Sequence, residues 1–169
     1  KVHLFFFFFY KKITTIKFTK IMAKVHAYLN LNGDCEKAFQ FYETVFETQN
    51  IGMYKMGDMP PSPEFQIPES AKDKVSHVAL FINETTMLMG SDVVEEFGQK
   101  YQAGNNNYIM LDVDNPAEAH QLYDRLSVNA KSLEMPLAEQ FFAELYASFI
   151  DQFGTPWMIH LEGHKAHSM

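Results

Sequence analysis

The chain has little of what several common classes of protein depend on. Its 169 residues include a single cysteine, Cys35, which excludes an intrachain disulfide framework and a cysteine-rich zinc site and is typical of a reducing cytoplasm. Its eight glycines never occur two residues apart, so the Gly-x-Gly turn of nucleotide- and methyl-donor-binding folds is absent. Basic residues number 14 against 21 acidic ones, and the resulting net charge of -7 disfavours nucleic acid and anionic membrane surfaces as partners. We therefore expect a cytoplasmic protein whose partner is a small molecule or another protein.

The first 21 residues differ in composition from the rest. They hold six of the 16 phenylalanines, five of the 14 basic residues and none of the 21 acidic ones. The apolar run 4–10 is too short for a secretory signal and for a bilayer span, which needs about 20 apolar residues. Two interpretations stay open. Residues 1–21 are a non-native leader before a chain that starts at Met22, or they are a genuine arm whose phenylalanines add to a sheet edge or lie between subunits.

The remainder contains one β-α-β-β-β pattern twice. Apolar residues alternate with polar and aromatic ones in 25–31 and again in 108–113, which predicts a strand in each segment. A helical pattern follows each strand, with Asp34 available as cap of the first helix and Asn115-Pro116 opening the second. The two helices match at an offset of 81, as in Tyr42 and Tyr123. Three further strands are predicted after each helix, near 48–56, 76–83 and 85–90, and near 130–135, 145–151 and 157–162.

This duplication predicts an α+β fold with two β-α-β-β-β units that form curled mixed sheets around a cavity. The first unit spans 22–103 and contains a proline-rich insertion at 57–74, which we interpret as irregular and as a candidate lid. The second unit spans 104–163, and residues 164–169 form a tail.

One face of each predicted strand packs on the helix, so the other face must point elsewhere. That second face is too rich in histidine, tyrosine and methionine for a solvated surface, and a mostly apolar, aromatic cavity with a few polar groups is typical of a small-molecule site. The alternation assigns to it His26, Tyr28, Asn30, His77, Phe81, Met89, Tyr108, Met110, Asp112, Met158 and His160.

Several segments resemble one known superfamily. They are Tyr28-Leu29 followed by Gly33-Asp34-Cys35, the run Gly57-Asp58-Met59-Pro60, the strand pair from Ser76-His77 to Ser91-Asp92, and Phe153-Gly154-Thr155-Pro156-Trp157-Met158. In this order they resemble the PhnB-like branch of the vicinal oxygen chelate superfamily of glyoxalases, bleomycin-resistance proteins and extradiol dioxygenases. The resemblance implies the paired-unit fold and a homodimer, in which a second subunit sometimes completes the cavity.

The same resemblance bears on metal binding. Metalloenzymes of the superfamily place one His or Glu on the inward face of the first and last strand of each unit, and these places correspond here to His26, approximately Met89, Tyr108 and approximately Met158. Thioethers suit soft metals rather than the hard divalent ions of these enzymes. We therefore expect a small-molecule-binding protein with no metal and no cofactor.

Two alternatives remain at this stage. One is a glyoxalase-like or dioxygenase-like enzyme, which would hold a metal through His26, His77 and His160 or use His77 or His26 as a general base. The other is a purely structural face that is filled as core.

The other residues singled out by the sequence have a structural interpretation. Cys35 is expected to be structural, and Trp157 falls with Ile159 on the helix-facing side, which predicts a core position. Asp92, with Glu95 and Glu96, is expected in a solvated turn.

Overall fold

A computed structural model describes residues 23–60, 62–63 and 66–167. The two interpretations of residues 1–21 therefore lie outside the described residues. The described chain folds into eight longer strands and two α-helices, whose bounds in chain order are β1 Ala27–Leu31, α1 Cys35–Phe46, β2 Asn50–Lys55, β3 Val75–Phe81, β4 Met87–Asp92, β5 Ile109–Asp112, α2 Pro116–Leu126, β6 Ser132–Ala138, β7 Leu145–Ile150 and β8 Pro156–Leu161. None of the described helices is long and apolar enough to cross a membrane.

The strands form two four-stranded sheets with the same topology. Sheet 1 has the order β1-β4-β3-β2 and sheet 2 the order β5-β8-β7-β6. In each sheet the first strand runs parallel to its neighbour, and the remaining pairs are antiparallel. The predicted α+β fold of two β-α-β-β-β units is confirmed, although the sheets are not strongly curled.

Strand β1 begins later than the alternation predicts. Its ladder starts with Ala27 opposite Leu88, and Val25 is 89% exposed. The next backbone N–H along β4, that of Met87, donates to Nδ1 of His26 over 3.0 Å. Because this donor is taken by a side chain, the ladder stops there and Val25 has no strand to pack against.

Both helices lie against one shared core. The buried residues of α1 and α2 pack with the helix-facing side chains of both sheets, among them Leu80, Phe149 and Trp157. Trp157 is fully buried, as predicted. Each sheet thus turns one face to the helices. We call the opposite face of each sheet its open face.

The start of α1 is capped by a residue that the sequence assigned to a solvated turn. Asp92 is only 4% exposed, and its carboxylate accepts from the backbone N–H groups of Cys35 at 3.0 Å and Val75 at 2.8 Å. Asp34, the predicted cap, makes no side-chain hydrogen bond to the helix. Both expectations are wrong, because β4 delivers a carboxylate to the helix terminus from a position 57 residues away. The predicted start of α2 at Asn115-Pro116 is confirmed, and Asn115 caps this helix by accepting from Glu118 N–H at 2.9 Å.

The described parts of the insertion and of the C-terminal end are held by side-chain contacts. Residues Met56–Asp58 and Glu69–Ala71 form short 3-10 turns. Glu96 accepts from Ser70 at 2.7 Å and from Lys74 at 3.1 Å, which ties the end of the insertion to the segment after β4. At the C-terminal end, His164 Nδ1 lies 3.0 Å from the Glu144 carboxylate.

Candidate ligand-binding faces

The predicted site residues divide between the two open faces. His26, Tyr28, His77, Phe81 and Met89 belong to sheet 1, and Tyr108, Met110, Met158 and His160 belong to sheet 2. The register places Tyr28 opposite Met89 and, at the equivalent position of the second unit, Met110 opposite Met158. Side chains paired in this way share one face of a sheet.

On sheet 1 an aromatic pair covers the centre of the open face. The ring of Tyr28 stacks on that of His77 with centroids 6.0 Å apart and an interplanar angle of 29°. Met89 is paired with Tyr28 on one side and with Ala79 on the other. Tyr28 and Phe81 are 47% and 38% exposed, so a molecule that reaches this face meets ring surfaces and a thioether.

His26 lies at one end of this face in a fixed tautomer. Its Nδ1 accepts the Met87 N–H, so the proton of the neutral ring is on Nε2. The ring therefore offers a donor at Nε2.

On sheet 2 the open face carries two hydrogen-bonded pairs. His160 Nδ1 lies 2.7 Å from Asp112 Oδ1, and the two residues are direct partners in the register of β5 and β8. The hydroxyl of Tyr108 donates to both carboxylate oxygens of Glu134, at 2.9 and 2.8 Å. This hydrogen bond to a carboxylate raises the pKa of Tyr108, so the phenol keeps its proton.

Two residues of this face were missed by the sequence reasoning. Glu134 was not predicted because register shifts between Leu133 and Met135 and between Met135 and Ala138 interrupt the simple alternation of β6. Tyr146 was detectable, since it alternates with buried residues of β7 and lies directly opposite His160.

Within one chain the two open faces do not enclose a common hollow. The helix-facing sides of both sheets meet at the shared core, so each open face lies on the outside of the chain. A cleft of about 490 Å³ runs between β1 and the segment that leads into β5. It is lined by His26, Tyr28 and Tyr108 among others, whereas His77, Met89, Met158 and His160 lie outside it. The single enclosed cavity expected from the sequence is thus replaced by two open faces and a cleft between their first strands.

The donors at the superfamily's metal positions do not fit a hard divalent ion. Among the described residues, no three His, Cys, Asp or Glu side chains lie together in a way that could hold a metal ion. Within the described part of one chain the three-histidine arrangement is not formed, since His26 and His77 belong to sheet 1 and His160 to sheet 2. His26 would also have to give up the Met87 hydrogen bond before its Nε2 had a lone pair for a metal.

Comparisons with known proteins agree with this architecture. No protein-family profile matches the chain. Protein YjdN of Escherichia coli K12 is 27% identical over 143 residues, which cover 79% of this chain and 92% of the relative. The crystal structure of protein PA1353 from Pseudomonas aeruginosa is 32% identical, with a TM-score of 0.73 and coverage of 83% of this chain and 98% of that one.

More distant structures share the fold. A PhnB protein from Bacillus cereus superposes with a TM-score of 0.64 at 18% identity, covering 82% of this chain and 99% of that one. The fosfomycin resistance protein FosX from Mesorhizobium loti gives a TM-score of 0.52 at 15% identity, covering 86% and 95%. The chain therefore belongs to the same family as PA1353, and its fold is that of PhnB and the other vicinal oxygen chelate proteins, as the sequence predicts.

Proposed function

We propose that this protein is a cytoplasmic homodimer that binds a small molecule on its open faces without a metal or other cofactor. The observation that carries the proposal is the exposure of large apolar and aromatic side chains at matched positions of the two faces. Tyr28 is 47% and Met110 55% exposed, and each is paired with a methionine, Tyr28 with Met89 and Met110 with Met158. On sheet 1 the exposed Tyr28 ring stacks on His77, and an exposed apolar and aromatic surface of this kind supports a binding site.

The shape of the faces supports the proposed dimer. Small-molecule sites are concave, and each open face supplies only one wall. A twofold arrangement that sets sheet 1 of one copy against sheet 2 of the other would give two equivalent hollows, each with both sets of predicted residues. Strands β1 and β5 are the first strands of their sheets and pair on one side only, so the same arrangement would also cover two open edges.

The ligand would be recognised by ring and thioether surface together with a few polar groups. Tyr28, His77 and Phe81 offer faces for stacking, and the methionines adapt to ligand shape. His26 offers a donor, and the acidic pairs of sheet 2 offer acceptors. Structures with the same fold include fosfomycin resistance proteins and a glyoxalase/bleomycin resistance protein/dioxygenase domain, which supports the proposal at the level of fold alone.

Binding can be tested by saturation-transfer NMR with a library of aromatic fragments against the full chain. We expect hits whose transfer is lost in Tyr28→Ala and in Met158→Ala and is kept in Val128→Ala, because Val128 is 48% exposed at the end of α2, away from both faces. Light scattering on the same sample should give about twice the 19.5 kDa chain mass. Elemental analysis should find no stoichiometric metal. The proposal fails if fragments bind equally to all three variants, or if the protein is a monomer or carries a stoichiometric divalent ion.

A further inference from the structure

Two histidines of the open faces, His26 and His160, are held in opposite tautomers by the hydrogen bonds of their Nδ1 atoms. His26 Nδ1 accepts from the Met87 backbone, which leaves the proton on Nε2. His160 Nδ1 lies 2.7 Å from a carboxylate oxygen of Asp112, which can only accept, so in the neutral ring the proton is on Nδ1 and Nε2 carries a lone pair. His26 therefore presents a hydrogen-bond donor, and His160 presents a base.

The duplication shows that this base is particular to the second unit. In sheet 2 Asp112 is paired with His160, and at the equivalent position of sheet 1 Asn30 is paired with Ser91. The fold does not require a charged pair at this position, since two neutral residues, Asn30 and Ser91, occupy the equivalent position of the first unit. The acid–base pair is thus an addition to sheet 2.

The surroundings of His160 suit proton transfer from a bound molecule. Its side chain is 22% exposed, so the ring is partly shielded yet reachable. Asp112 flanks it from β5 and Tyr146 from β7. The Tyr146 ring contacts Phe142, with centroids 5.2 Å apart, and its hydroxyl has no hydrogen-bond partner in the described part of the chain. This hydroxyl is therefore able to donate to a negative charge that develops beside His160.

We propose that His160, oriented by Asp112, acts as a general base that removes a proton from carbon in a flat, weakly polar molecule bound on the open face of sheet 2. The proton moves to His160 Nε2 and the C–H electron pair stays on the substrate. The resulting imidazolium is stabilised by the Asp112 carboxylate. Met110 and Met158 provide the apolar surface for the ring of the substrate. This inference relies on the proposed function only in that small molecules reach this face.

The probe is 5-nitrobenzisoxazole, a flat carbon acid that needs no metal and no oxidant. A base takes its ring C–H proton, the C–H electron pair forms the nitrile, and the N–O bond breaks to leave a coloured nitrophenolate. General bases typically accelerate such steps by about 100-fold or more. We expect the full chain to convert the probe, and His160→Ala to lower the rate about 100-fold. Added imidazole should restore part of it.

Asp112 is a positioning residue and needs a readout other than rate. In Asp112→Asn an amide N–H can donate to Nδ1, which favours the other tautomer and removes the lone pair at Nε2. We expect at least about a tenfold loss of rate. The ¹⁵N shifts of His160 should show the proton on Nδ1 in the wild type and on Nε2 in the variant.

The chain offers a matched control in a second histidine–carboxylate pair. His164 Nδ1 lies 3.0 Å from Glu144, and this pair lies beyond the strand ends, since Glu144 precedes β7 and His164 follows β8. His164→Ala should retain the wild-type rate. The inference is overturned if His160→Ala converts the probe as fast as wild type, if His164→Ala loses as much activity, or if the tautomer is unchanged in Asp112→Asn. Fragment binding with no conversion of the probe would refute this inference and leave the proposed function intact, whereas loss of binding would refute the proposed function itself.

Discussion

The hydroxyl of Tyr42 in the first unit donates to the buried carboxylate of Asp151 in the second, over 2.7 Å. Asp151 is fully buried and accepts three further hydrogen bonds, from Trp157 Nε1 at 2.9 Å and from the backbone N–H groups of Phe153 at 2.8 Å and Thr155 at 2.9 Å. Burial and the Asp151 charge raise the pKa of Tyr42 well above its usual range, so it stays a donor. This contact fixes α1 to the turn between β7 and β8, and with it the relative position of the two sheets.

Removing this hydroxyl should weaken the fold. Tyr42→Phe keeps the ring packing on Trp157 and deletes two buried hydrogen bonds, one to the Asp151 carboxylate and one with Thr155 Oγ1 at 2.9 Å. Loss of the bond to the buried charge alone costs about 1.5–3 kcal/mol of unfolding free energy. Urea denaturation measures the change. The control is Tyr123→Phe, the equivalent position in α2, because the Tyr123 ring packs on Phe149 and its hydroxyl has no hydrogen-bond partner among the described residues. Equal stability of the two variants would contradict the role given to Asp151.

The cap of α1 yields a second prediction. Asp92→Ala leaves the buried N–H groups of Cys35 and Val75 without an acceptor, and each such loss costs about 1–3 kcal/mol. We expect the midpoint of urea denaturation to fall sharply. Asp34→Ala, at the position expected from sequence to cap the helix, should change stability by less than about 0.5 kcal/mol, since Asp34 makes only an exposed ion pair with Lys37. A larger effect from Asp34 than from Asp92 would reverse this assignment.

The thiol of Cys35 should be unreactive in the folded protein. Its side chain is fully buried, and burial followed by the nearby Asp92 charge raises the pKa of the thiol well above its usual range. Only the thiolate attacks a disulfide reagent. We therefore expect no reaction with Ellman's reagent under native conditions and one thiol per chain in denaturant. Rapid native labelling would show that the start of α1 opens readily.

Glu96 gives a stability contribution that depends on pH. Hydrogen bonds from Ser70, its own backbone and Lys74 lower the pKa of Glu96 from 4.5 to about 2. Because the folded-state pKa is lowered, the stabilisation is present above the unfolded value and is lost as pH falls through about 2. The thermal unfolding temperature of Glu96→Gln should lie below that of wild type at pH 6 and approach it near pH 2.

Glu95→Gln is the matched control for this titration. Glu95 is adjacent and exposed, and its side chain makes no hydrogen bond or ion pair among the described residues. The Glu95→Gln variant should unfold at the same temperature as wild type at both pH values. A gap between Glu96→Gln and wild type that is the same at both values would contradict the contribution of the ionised carboxylate.

The fold was predictable from sequence because it is local and repeated. Alternation at 108–113 and helical spacing from Ala38 to Val45 identify elements, and the offset of Tyr42 and Tyr123 reveals the duplication. The same alternation placed His26, Tyr28 and Met158 on the open faces. Long-range partners were not predictable, because the Asp92 cap and the Tyr108–Glu134 pair join residues whose proximity only the folded sheets create. Alternation also does not show in which direction a face of a sheet points. For this reason the sequence predicted one enclosed cavity, whereas the single chain has two open faces.

The most direct test of small-molecule binding on these faces is NMR of methionine methyl groups labelled with ¹³C. Met89, Met110 and Met158 lie on the open faces, and Met53 packs against the core. Addition of aromatic fragments that show saturation transfer should shift the methyl signals of the three open-face methionines and leave that of Met53 unchanged. Shifts confined to Met53, or no methyl shift with any such fragment, would contradict binding at the open faces.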